Sequence, residues 1–176
     1  VGRGAAGAAY SGIGEGARLK AAMEGASAVV HLAALGSVPR SIAQPLDSEQ
    51  ANLAGFLQVL ETARGLGLKR IVYASSSSVY GDSAVLPKKE GTEGHPLSPY
   101  AVTKAMDETY AALYARLHGL EAIGLRFFNI FGERQDPEGA YAAAIPKFIR
   151  ALLRHQAPLL HGDGLRPEKT LATLDR

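Results

Sequence analysis

The sequence predicts an α/β fold built on a doubly wound parallel sheet. Three observations carry that expectation. Apolar runs rich in strand formers at 28–34, 69–74 and 121–128 alternate with stretches at 17–24, 45–66 and 101–117 whose apolar residues recur at helical spacing. Small or polar residues gather just past each run, at Ala34, Ser76 and Asn129, and in such sheets ligands sit at the carboxyl ends of strands. The 176 residues, 47% hydrophobic and 20% charged, suit a single globular domain with a sizeable core.

Composition narrows the function classes. A net charge of +2, with no basic run, leaves no nucleic-acid footprint. No apolar window of about 18 residues is available to span a membrane. The lack of cysteines excludes disulfide and thiolate chemistry and fits a cytoplasmic protein. No metal site is expected.

In chain order, Gly2, Gly4 and Gly7 form a literal G-x-G-x-x-G. A dinucleotide loop of that kind must leave a strand, but only Val1 precedes it, and Ser27 stands where an acidic residue should follow. Residues 1–16 are therefore expected to be a poorly defined stub. Ala17 to Glu24 reads as a short amphipathic helix closed by Gly25. The run 28–34 reads as a buried strand ending in small residues, which suit either core packing or the approach of a flat ligand. Gly36 to Ser41 reads as a loop with turn residues. Pro45 to Leu66 reads as one long helix, with Asn52 set among Ala51, Leu53, Phe56 and Leu57. A buried asparagine needs hydrogen-bond partners. Gly65 to Gly67 closes the helix, and Gly81 to Leu97 is a loop rich in glycine, proline and charge.

The chemistry concentrates between Ser75 and Lys104. Four serines, Ser75 to Ser78, stand where the second apolar run ends. About two dozen residues on, Ser98 and Pro99 are placed to start a helix, which His118 and Gly119 close. Tyr100 and Lys104 then lie four positions apart on one helix face. A free phenol ionises near about pH 10. A neighbouring ammonium favours its phenolate, which would make Tyr100 a general base. A strand-end serine could share a hydrogen bond with the same substrate oxygen. Tyr-x-x-x-Lys alone is a short pattern, and the serine-rich strand end is what lifts it above a surface pair.

These motifs resemble those of extended short-chain dehydrogenases/reductases, in the NAD-dependent epimerase/dehydratase family, and within it the UDP-N-acetylglucosamine 4-epimerase branch. The likeness extends to His31-Leu32-Ala33-Ala34, to Asn52 and Gly55 in an N-x-x-G-x-x-x-x-L pattern, and to Arg126–Gly132 and Arg134–Tyr141. It runs from about Leu19 to Gly164. It implies a Rossmann-type sheet that lacks the first βαβ unit and most of the C-terminal substrate lobe. Residues 17–164 would then be a partial NAD-binding and catalytic domain, and 165–176 a divergent tail.

The resemblance also implies roles. Leu32, Ala33, Ala34, Asn52, Ala74, Ser75, Tyr100, Lys104 and Phe128 would contact NAD. Ser37, Ser76, Ser77, Ser78, Tyr100, Asn129, Gln135, Ala143 and Lys147 would contact a UDP-sugar. Ser76 would hold the sugar 4-oxygen, Tyr100 would take its proton, and Lys104 would bind the ribose and keep Tyr100 anionic. The sugar C4 would pass through a transient ketone, with hydride returned on its other face. A homodimer would form through helices 45–66 and 100–117.

Several departures qualify that picture. Gly12-Ile13 replaces the family's Asp-Ile pair, and Glu168 stands where a phosphate-binding arginine is expected. Family 4,6-dehydratases carry Asp-Glu where this chain has Ser77 and Ser78, which disfavours elimination of water. UDP-glucuronate and UDP-galactose 4-epimerases are close alternatives. Asn129 and the Arg134–Pro137 loop favour the hexosamine side. An inactive gene fragment is the alternative of another class.

Overall fold

A computed structural model of the chain describes residues 16–130, 132 and 144–158. The glycines at 2–7, the Gly12-Ile13 pair and the expected strand at 158–164 beyond Pro158, with the tail after it, lie outside those residues. The chain divides into two compact units between Leu125 and Arg126.

One sheet holds three strands in the order β1 (Val29–His31), β2 (Arg70–Ser76), β3 (Glu121–Phe127). β1 and β2 are parallel, with Val29 opposite Ile71 and His31 opposite Tyr73. Glu121 N–H donates to Lys69 O at 2.6 Å, so β2 and β3 start side by side and run the same way. Parallel neighbours need long crossovers, and helices supply them. α1 (Gly16–Met23) precedes β1. α2 (Val38–Ala43), α3 (Pro45–Ser48) and α4 (Gly55–Gly65) lead to β2, and α5 (Pro99–His118) leads to β3. α6 (Ala144–Leu153) belongs to the second unit. The expected parallel α/β architecture is therefore present.

Three local expectations need correction. The run 28–34 is neither a full strand nor buried. Only Val29–His31 pairs, Val30 and Leu32 are 68% and 62% exposed, and Ala33 and Ala34 are exposed too. An apolar run is buried only where elements cover both of its faces, and here Val29 and His31 face the core while Val30 and Leu32 do not. The loop read at 36–41 is largely α2. Pro39 can open a helix as readily as a turn, and Ser37 caps it, its Oγ accepting from Arg40 N–H at 3.2 Å. The helix read at 45–66 is interrupted by a π-helical segment, Glu49–Ala54, between α3 and α4. A wider turn of that kind often marks a functional position, and Asn52 sits within it.

The core of the first unit joins α4 to the sheet. Phe56, Val59, Leu60 and Ala63 recur at helical spacing and are buried against Ile71, Tyr73, Ala111 and Leu120. The His31 and Phe56 rings stack at 5.4 Å, and Phe56 lies 4.8 Å from Tyr73. A Cβ at Gly124 would fall 2.5 Å from the Tyr73 Cζ and Oη, so any larger residue there would displace the Tyr73 ring.

The loop after β2 is pinched shut at its base. Asp82 N–H donates to His95 O at 3.2 Å, and Gly94 N–H donates to Tyr80 O at 3.1 Å. His95 N–H donates to Asp82 Oδ1 at 2.7 Å. Gly81 has φ of +53°, and a Cβ there would lie 1.9 Å from His95 O. Only glycine permits both that conformation and that approach.

Candidate active site

β2 delivers the serines and α5 delivers the tyrosine and lysine. Ser98 Oγ accepts from Ala101 N–H at 3.1 Å, Pro99 follows it in the first turn, and Gly119 closes the helix at φ of +65°. The expected start and stop of this helix are thus both met. Past Ser76 the chain tightens into a 3-10 turn, Ser77–Tyr80. Ser76 Oγ accepts from Ser78 N–H at 3.1 Å and from Ser78 Oγ–H at 2.9 Å. A hydroxyl has two lone pairs and one proton. Both lone pairs are engaged, so the proton is left for Tyr100, with which Ser76 shares a hydrogen bond. Ser78, Ser76 and Tyr100 form one directed row.

Lys104 lies beneath that row, 2% exposed. Its Nζ donates to Ala74 O at 3.1 Å and to Asp107 Oδ2 at 3.2 Å. Asp107 is 1% exposed, and its Oδ1 is buried without a partner. Ser75 is also buried, and its hydroxyl donates to Glu108 Oε1. The sequence reading missed Asp107 and Glu108. The available signal was their spacing, three and four positions past Lys104 on the same helix.

Asn52 fastens the end of β1 to α5. Its Oδ1 accepts from Leu35 N–H at 2.7 Å, and its Nδ2 donates to Leu35 O at 3.3 Å and to Thr103 Oγ1 at 3.2 Å. Thr103 Oγ–H donates in turn to Tyr100 O at 2.9 Å. The strand-end backbone and the turn bearing Tyr100 and Lys104 are therefore held by one amide.

Other expected site residues are placed less tightly. Ser77 is half-buried, and Leu32, Ala33 and Ala34 are exposed at the end of β1. Ser37 is committed to its helix cap. In the second unit Phe128 and Asn129 are half-buried and Lys147 is exposed on α6. Gln135 and Ala143 lie outside the described residues. Those residues include no cluster of three potential metal ligands and no helix long and apolar enough to cross a membrane.

The electrostatics differ from expectation at one point. Lys104 was expected to ease ionisation of Tyr100. Instead the phenol is pushed above its usual value, chiefly by burial, with the Asp107 carboxylate adding to the rise and the Ser76 hydrogen bond opposing it. Burial also lifts Asp107 to about 6, against the pull of Lys104. Burial, helped by the Lys104 charge, lowers His31 to about 4.

The two groups oppose each other in the stability of the fold. Between about pH 4 and 6, folded Asp107 keeps a proton that the unfolded chain releases, so its contribution falls as pH rises. Between about pH 4 and 6.5, folded His31 lacks a proton that the unfolded chain binds, so its contribution rises with pH. Each slope approaches about 1.4 kcal/mol per pH unit where the folded and unfolded chains differ by one bound proton, between the two pKa values of the group. Urea unfolding across this range should show Asp107→Asn gaining stability with pH more steeply than the parent, and His31→Phe less steeply. Parallel pH curves for all three proteins would contradict this assignment.

Comparison with known proteins supplies the family. The model of the NAD dependent epimerase/dehydratase family matches residues 9–167. The chain belongs to this family. A UDP-glucose 4-epimerase of Mycolicibacterium smegmatis is 36% identical over 137 residues, 77% of this chain and 44% of its own. The structure of a UDP-N-acetylglucosamine 4-epimerase from Methanobrevibacter ruminantium, in complex with UDP-N-acetylmuramic acid, matches 93% of this chain and 52% of its own, with a TM-score of 0.86 and 38% identity. A UDP-glucuronic acid 4-epimerase from Bacillus cereus, in complex with UDP-glucuronic acid and NAD, matches 88% of this chain and 48% of its own, with a TM-score of 0.76 and 28% identity. The chain thus spans about half the length of these epimerase/dehydratase relatives.

The described residues fit the nicotinamide-ribose end of the family's NAD. Lys104 has three N–H donors, and Ala74 O and Asp107 Oδ2 take two, which leaves one for a ribose hydroxyl. Ala33 and Ala34 leave the end of β1 exposed with only methyl side chains.

Proposed function

We propose that the protein is an NAD-dependent nucleotide-sugar 4-epimerase acting on UDP-N-acetylglucosamine. The observation that carries this reading is the row Ser78–Ser76–Tyr100 above buried Lys104. When bound, NAD supplies a reversible acceptor for the hydride on the sugar C4. The Tyr100 oxygen takes the proton of the 4-hydroxyl and later returns it. Ser76, oriented by Ser78, turns its own proton to the same sugar oxygen. Lys104 holds the ribose with the N–H that Ala74 and Asp107 leave over. Asn52 keeps the end of β1 and the turn bearing Lys104 at a fixed spacing.

Epimerisation is favoured over 4,6-dehydration by Ser77 and Ser78. Neither can protonate a leaving hydroxyl or take a carbon-bound proton, which dehydration requires. Asn129 and the loop from Arg134 support the hexosamine substrate. We also assign a homodimer packed through 45–66 and α5, where Val102 and Met106 stand one turn apart and exposed.

Measurement of kcat/KM tests the substrate. The protein carrying this sequence should convert UDP-N-acetylglucosamine to its galacto epimer faster than it converts UDP-glucose or UDP-glucuronate. Equal or reversed values with UDP-glucose would sink the hexosamine assignment, and preference for UDP-glucuronate would replace it.

A further inference from the structure

We propose that Asp107 is a positioning residue for Tyr100: its buried carboxylate anchors Lys104 and offsets the ammonium's charge, and so sets the pH at which the phenol becomes a base. The inference rests on the reading of Tyr100 as the base, and it deepens that reading.

Geometry supplies the main support. Lys104 and Asp107 are both almost wholly buried, three positions apart on α5, with Nζ and Oδ2 3.2 Å apart. The ammonium is held from one side by Ala74 O and from the other by Asp107. A buried cation raises the local potential sharply, and a carboxylate against it removes most of that effect at a third group. Tyr100 lies one turn from Lys104 on the same helix, within reach of both charges. Its ionisation is hindered by burial and by Asp107 and is eased by Ser76.

Of the two Asp107 carboxylate oxygens only one has a protein partner. Oδ2 meets Lys104, while Oδ1 is buried with no partner. A carboxylate placed for stability alone would have both oxygens satisfied. An ion pair of this kind sits poised instead, and small changes around it alter the charge that Tyr100 feels. The charged and titratable groups bearing on Asp107 are Lys104 and Glu108, both on its own helix. From the sheet, His31 at the end of β1 feels the same lysine. The helical segments from 38 to 65 that pack on α5 carry Arg40, Asp47, Glu49, Glu61 and Arg64.

Removing the negative charge without changing shape should free the ammonium's field and lower the Tyr100 ionisation. The test is tyrosine titration of the full chain, read by NMR with ring-labelled tyrosine. The chain has seven tyrosines, so Tyr100→Phe in each background identifies the signal. In Asp107→Asn the Tyr100 ionisation should fall by about one pH unit. Asp107→Ser, a smaller neutral variant, should show the same direction and guards against crowding by the amide. Circular dichroism selects folded samples. A Tyr100 ionisation that is unchanged or higher in either folded variant overturns the proposal.

A second readout separates this proposal from the one beneath it. If Tyr100 is the base, the alkaline-directed limb of kcat/KM should move to lower pH by the same interval as the phenol. A phenol that shifts while the rate profile stays fixed would leave the Asp107 assignment intact and remove Tyr100 as base. A rate profile that shifts over an unmoved phenol would overturn the role assigned to Asp107.

Discussion

On the proposed epimerase reading, Tyr100→Phe should lower turnover by about a hundredfold or more, the usual contribution of a positioned general base. The side chain is half-buried, and phenylalanine keeps the ring and its packing. What disappears is the oxygen that ends the row from Ser78 through Ser76. With the substrate bound, Ser76 can still donate to the 4-oxygen, but the 4-hydroxyl has no base. Binding of the UDP-sugar should persist, because the ring still fills its place. Calorimetry for binding and a steady-state assay for turnover check the two halves separately. Near-normal turnover in the phenylalanine protein would remove Tyr100 from its role.

Phe56→Ala destabilises the fold by about 3–5 kcal/mol, the range for a large aromatic removed from a packed core. Phe56 is fully buried and stands between the rings of His31 and Tyr73. It therefore couples α4 to both β1 and β2. Urea denaturation should show a lower midpoint with an unchanged slope. A loss below about 1 kcal/mol would mean that neighbouring side chains collapse into the space.

What could be read in the sequence follows from how local each signal is. Ser98, Pro99 and Gly119 mark the ends of α5 through contacts within a few residues, so their types alone predict it. Tyr100 and Lys104 share a face because helical spacing dictates it. Asp107 looked like an ordinary polar residue of that helix, and its burial is decided by packing that no local pattern contains. Pro39 was ambiguous because its fixed φ suits both turns and helix starts. The π-helical segment at Glu49–Ala54 escaped because a widened turn leaves apolar periodicity nearly intact. The length of β1 depends on which strands flank it, a property of the sheet and not of residues 28–34.

The pinched base of the loop between β2 and α5 has a consequence for how the protein can vary. Gly81 and Gly94 bring two backbone strands within reach of each other, and Asp82 ties them at His95. Everything between 83 and 93 is then suspended from a closed neck. Length and composition there can change at little entropic cost without pulling on Ser76 or Ser98. The segment is a natural cassette. A lineage or an engineer can exchange it while the glycine at 81 stays fixed.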